Sequence, residues 1–187
     1  MTKKVLIIGE EYITSLIKKG ALDESSAKSI TNSLFAEVKN SNEIESLVFE
    51  YLVEEIVFDL NFFPKFPNLR HLTLSCSFKN FDFLENFSKL EYFSIDNTND
   101  SPKKLNIAKP MTRLKEIVFF CDCDVWKLFL KNYKLFPNIE ICIFIGFEAV
   151  EQEYLYSDDL LHFPKLKKIK LEDATFYEEK TISLFNK

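Results

Sequence analysis

Apolar residues along this chain recur in one motif, with a first residue, a second three places on and a third two places further. It appears six times, as Ile44/Leu47/Phe49, Leu69/Leu72/Leu74, Leu90/Phe93/Ile95, Leu114/Ile117/Phe119, Ile139/Cys142/Phe144 and Leu166/Ile169/Leu171. The copies start 25, 21, 24, 25 and 27 residues apart. Alternation at the last two positions is the period of a strand with one buried face, so each copy predicts a short strand. The lead-in recurs too, as Phe66-Pro67-Asn68, Phe87-Ser88-Lys89, Met111-Thr112-Arg113, Phe136-Pro137-Asn138 and Phe163-Pro164-Lys165. A fixed spacing of this kind marks stacked units.

The segments between copies read as partly helical. Asp124 stands as a candidate N-cap ahead of Val125, Leu128, Phe129 and Leu135, with Pro137 closing that helix. A second helix is predicted from about Glu148 to Leu161, with no more than a turn or two between Phe78 and Phe87 and an irregular loop from Asn97 to Pro110. Ahead of the repeats, Ile13, Leu16 and Ile17 suggest a short helix closing at Gly20. Asp23 to Ser26 would cap a longer one carrying Ala27, Ile30, Leu34 and Val38. Val5 to Ile8 would add a strand.

The L-x-x-L-x-L core at this period resembles the leucine-rich repeat family, and residues 42–173 carry the resemblance. It implies an α/β fold: an irregular solenoid with a parallel sheet on its concave side and helices and turns on the convex side. Residues 1–41 would be a helical N-terminal cap and 174–187 a C-terminal cap, all in one folded domain. The chain departs from the family eight residues after each first apolar position, where an asparagine normally bonds across repeats. Here stand Leu52, Ser77, Thr98, Asp122, Phe147 and Ala174. No asparagine ladder is expected, and phenylalanine packing would replace it.

The strand register predicts which residues face the concave side. They are Ser46, Val48, Glu50; His71, Thr73, Ser75; Tyr92, Ser94, Asp96; Glu116, Val118, Phe120; Ile141, Ile143, Ile145; and Lys168, Lys170, Glu172. Val118, Phe120, Ile141, Ile143 and Ile145 would form an apolar patch, of the kind that marks a contact site. The run Ile139 to Ile145 equally suits a strand covered on both faces, by a loop of the same chain or by a second copy in a homodimer. Just beyond the strands, Asp96, Asp100, Asp122, Asp124, Glu148, Glu151, Glu153, Glu172 and Asp173 would line a negative rim that attracts a basic protein surface.

Composition narrows the function classes. The chain has 187 residues, 20 of them Phe and only 3 Gly, with a net charge of -5. That balance argues against direct nucleic-acid binding, which draws on clustered Lys and Arg. Val5 to Ile8 is too short a run for an export signal or a membrane anchor, so the four cysteines are expected reduced in the cytoplasm. A Ser-His-Asp or Cys-His arrangement would have to use His71 or His162; His71 has no carboxylate at an orienting spacing, and His162, before Phe163-Pro164 at a repeat boundary, reads as structural or solvated. Cys121 and Cys123, with Cys76 and Cys142, lack the paired C-x-x-C knuckles of a structural zinc site. No glycine-rich phosphate loop exists. We therefore expect no catalytic site, no metal and no cofactor.

The leucine-rich repeat resemblance implies a protein-binding module. In being acidic, single-domain and without a catalytic set, the chain is also similar to the cytosolic immunity proteins of bacterial toxin systems. That likeness implies neutralisation of a toxin, a nuclease with a basic cleft being one candidate. An adaptor or scaffold recruiting a host protein is the alternative. Candidate partner-binding residues are His71, Tyr92, Asp96, Glu116, Val118, Phe120, Asp122, Asp124, Ile141, Ile143, Glu148, Glu151, Glu153, Lys168, Lys170 and Glu172.

Overall fold

A tight turn opens each unit. In the computed structural model, which describes residues 4–18, 38, 40–51, 57–63, 65–96, 104–120, 123–146 and 162–172, the repeated lead-in closes by a hydrogen bond three residues long. Leu69 N–H donates to the Phe66 carbonyl at 3.1 Å, Leu90 to Phe87 at 3.0 Å, Leu114 to Met111 at 3.3 Å, Ile139 to Phe136 at 3.5 Å and Leu166 to Phe163 at 3.0 Å. Proline at the second place of Phe66-Pro67-Asn68-Leu69 presets the φ such a turn needs. The turn folds its two apolar ends, such as Phe66 and Leu69, into the core together.

The first apolar residue of the later copies thus lies in this turn and not in the strand, a correction to reading the whole triplet as strand. The chain then extends. Strands run over β1 (Lys4–Ile8), β2 (Ile44–Tyr51), β3 (His71–Cys76), β4 (Tyr92–Asp96), β5 (Glu116–Phe120), β6 (Ile141–Ile145) and β7 (Lys168–Glu172). All pair in parallel in chain order, so among the described residues the fold is α/β around one seven-stranded parallel sheet. The pairing aligns equivalent positions, as in Leu47, Leu72, Phe93, Ile117, Cys142 and Ile169.

Two α-helices are described. Helix α1 (Glu10–Lys18) follows β1, its acids in the first turn and Lys18 in the last matching the helix dipole. Helix α2 (Cys123–Lys131) follows β5. Asp124 lies inside its first turn and is not the N-cap, because the helix begins two residues earlier than the capping pattern suggested. Its carboxylate still complements the positive helix end. Leu135 lies beyond the helix in a short 3-10 turn, Tyr133–Leu135, and a similar turn at Asp82–Asn86 is what the Phe78–Phe87 segment forms. The expected helices at 23–38 and 148–161, the loop 97–103 and the C-terminal cap lie outside the described residues, apart from Val38, which packs on the core.

Phenylalanine fills the space between the sheet and the connecting segments. Phe49 meets Phe58 edge-on at 4.9 Å, and Phe78, Phe81 and Phe83 cluster beside Phe93. Phe81 touches Phe129 at 5.3 Å, which joins this group to Phe119, Trp126 and Phe144. Each such pair adds about 0.5–1.5 kcal/mol beyond area burial.

Asparagines do bond across units, but at a position other than the family's. Asn68 Nδ2 donates to the Asn42 carbonyl at 2.6 Å and Asn138 Nδ2 to that of Thr112 at 2.5 Å, both from the lead-in turn. Beside them runs a charged ladder. Arg70 N–H donates to the Glu45 carbonyl, Glu91 to Arg70, Lys115 to Glu91, Glu140 to Lys115 and Lys167 to Glu140, at 2.7–2.9 Å. The side chains alternate in sign at every step. Arg70 and Glu91 pair at 2.7 Å, as do Lys167 and Glu140, and Lys4 pairs with Glu43 at the head of the sheet.

Candidate functional site

The sheet face turned away from the core carries three rows of side chains. One holds Ser46, His71, Tyr92, Glu116, Ile141 and Lys168, and the central one Val48, Thr73, Ser94, Val118, Ile143 and Lys170. The third holds Glu50, Ser75, Asp96, Phe120, Ile145 and Glu172. Strand β1 extends the first two rows with Val5 and Ile7.

The central row is sunken from β4 to β6. Ser94 is 3%, Val118 4% and Ile143 9% exposed, while Tyr92, Asp96, Glu116, Phe120, Ile141 and Ile145 are half-buried. Val118 and Ile143 are thus not open parts of an apolar patch. Only Phe120, Ile141 and Ile145 present apolar surface there. Strand β6 is hydrogen-bonded on both edges, to β5 and β7, so a second copy could not extend the sheet at Ile141–Ile145.

Tyr92 dominates the first row. Ser94 follows it two residues on along the same face. Burial raises its phenol pKa, the nearby Ser94 hydroxyl works against that, and the Glu116 carboxylate raises it further. Its ring lies 6.0 Å from that of His71, tilted by 35°. His71 Nδ1 is buried with no hydrogen-bond partner.

Charge on this face is one-sided. Across the three outward positions of each strand from β2 to β6 there is no Lys or Arg, while Glu50, Asp96 and Glu116 are present. None of the three makes an ion pair among the described residues. Burial raises the Asp96 pKa, as expected of a desolvated carboxylate without a cation. Basic residues enter only at β7, where Lys168 is exposed and Lys170 lies 3.6 Å from Glu172.

The rim residues divide. Asp124 is exposed and lies 3.4 Å from Lys127, and Glu172 has Lys170, so both carry a local counter-charge of small energetic weight. Asp122, Glu148, Glu151 and Glu153 lie outside the described residues, as do Asp100 and Asp173. The register therefore joins His71, Tyr92, Glu116 and Ile141 in one row, while Asp96 and Phe120 share another. Glu50 belongs with them. Its acidic place in the row was legible in the register from the start, but an unpaired state can only be read from contacts.

Cys76 and Cys142 face the core as free, buried thiols. Burial, with Asp96 adding, drives the Cys76 thiol far up, and burial alone takes Cys142 to about 12. They sit three strands apart, at least about 14 Å, and cannot share one ion. Cys121 and the Cys123 side chain lie outside the described residues, and no group of three potential ligands occurs among those described. His162 stacks on Tyr133 at 4.4 Å, outside the sheet face. No described helix is long and apolar enough to cross a membrane. In comparison with known proteins, the chain matches no protein-family model, no curated protein and no solved structure.

Proposed function

We propose that this chain is a non-catalytic protein-binding module of irregular leucine-rich repeat type, acting in the cytoplasm as an immunity protein that neutralises a toxin. One observation carries the reading: from β2 to β6 the outward face bears three carboxylates without an ion pair among the described residues, and no Lys or Arg. Unpaired carboxylates beside half-buried aromatic and apolar side chains suit a basic protein surface, where steering and desolvated contact act together. A toxin nuclease with a basic substrate cleft presents such a surface. Occluding that cleft would need no chemistry from this chain.

Affinity capture from the native host, with products of neighbouring reading frames included in the search, tests the proposal. The expected result is one stoichiometric partner whose toxic activity disappears when the purified chains are mixed one to one. Capture of a varied set of host proteins, with no toxic activity suppressed, would replace this reading with that of an adaptor. With the partner in hand, Glu50→Lys/Asp96→Lys/Glu116→Lys is expected to lower the association rate at low salt by at least about tenfold, measured by stopped flow. An unchanged rate would remove the carboxylates from the reading.

A further inference from the structure

We propose that Tyr92 and Glu116 form the seat for a single arginine side chain of the partner, its guanidinium lying on the phenol ring and paired with the carboxylate. This rests on the proposed reading that a basic protein docks on this face.

Tyr92 and Glu116 are paired neighbours on adjacent strands, so their Cα atoms stand about 5 Å apart. The ring packs beside that of His71 on the neighbouring strand before any partner arrives. A platform already fixed loses little freedom on binding. Glu116 has no cation of its own among the described residues, although it is half-buried beside an aromatic ring and Ile141.

A planar cation suits both the ring and the carboxylate. Guanidinium stacks on an aromatic face and presents a fork of donors to a carboxylate, whereas an ammonium is a compact, strongly hydrated point charge. The seat therefore discriminates arginine from lysine, which a merely acidic face does not.

The test uses the full chain, isotope-labelled, titrated with a nona-arginine peptide and with a nona-lysine peptide of equal charge. We expect saturable amide shifts centred on Tyr92, Ser94 and Glu116, and at least fivefold tighter binding of the arginine peptide. Glu116→Gln and Tyr92→Ala should each weaken it at least tenfold. Tyr92→Phe, which keeps the ring, should stay within about twofold, with thermal unfolding confirming that each variant folds. Equal affinity for the two peptides, shifts centred on Asp124 and Glu172, or no shift at Tyr92 would overturn the seat. If the arginine preference fails while a toxin is still neutralised, the seat alone falls. An arginine preference without any toxin neutralised leaves the seat standing and removes the immunity reading.

Discussion

Phe119 is fully buried and meets Trp126, Phe129 and Phe144 at ring distances of 5.4–5.5 Å. Such a side chain is held from several directions, so its removal leaves a cavity that neighbours cannot all fill. Phe119→Ala is expected to cost about 3–5 kcal/mol, read from urea unfolding, and Phe119→Leu less. Asp96 acts in the opposite sense. Its folded pKa lies above the unfolded value, so the folded state holds the proton more tightly and the penalty for ionising it grows as pH rises through the carboxylate range. Asp96→Asn should therefore raise Tm at about pH 7 and lose that advantage below about pH 3, where the aspartate is protonated in both states. Cys76 and Cys142, neutral and buried, should resist a thiol reagent in the native protein and react only on unfolding. Rapid modification of all four thiols without denaturant would contradict their placement.

At the scale of the element, each strand is specified twice: by its apolar alternation and by the charge at its mouth. Glu91 stands between Arg70 and Lys115, bonded through its backbone to both. Glu91→Lys would place three positive charges in a row and is expected to cost about 1 kcal/mol, more at low salt, in denaturant unfolding. Adding Arg70→Glu should recover part of that loss. The strands were legible because the period-two pattern and the Phe-Pro-Asn turn lie within a few residues of each other. The ladder was less so, since its members are 21–27 residues apart and the sign of Glu45, Arg70, Glu91, Lys115, Glu140 and Lys167 means nothing until the units are stacked. The start of α2 escaped for a simpler reason: an acid suits both the cap and the first turn. The burial of Ser94, Val118 and Ile143 on the outward face was not legible, because alternation tells which face a residue points to and not how much of it water reaches.

For the whole molecule, the ends of the sheet differ. Strand β1 exposes Val5 at 52% and Ile7 at 66% and has no second neighbour among the described residues, while β7 carries Lys168 and Lys170. An exposed apolar edge is prone to pair with another chain. Ile7→Lys is accordingly expected to reduce association at high concentration, by light scattering, without lowering Tm. A Tm drop of many degrees would mean that Ile7 supports the fold instead. The charged ladder, finally, has a parity. Removing one unit, residues 91–114, would set Arg70 beside Lys115, like against like; removing two, residues 91–139, would set it beside Glu140 and restore the alternation. A chain built this way tolerates gain or loss of units in twos and resists it in ones, so its length is an even-numbered choice written in charge.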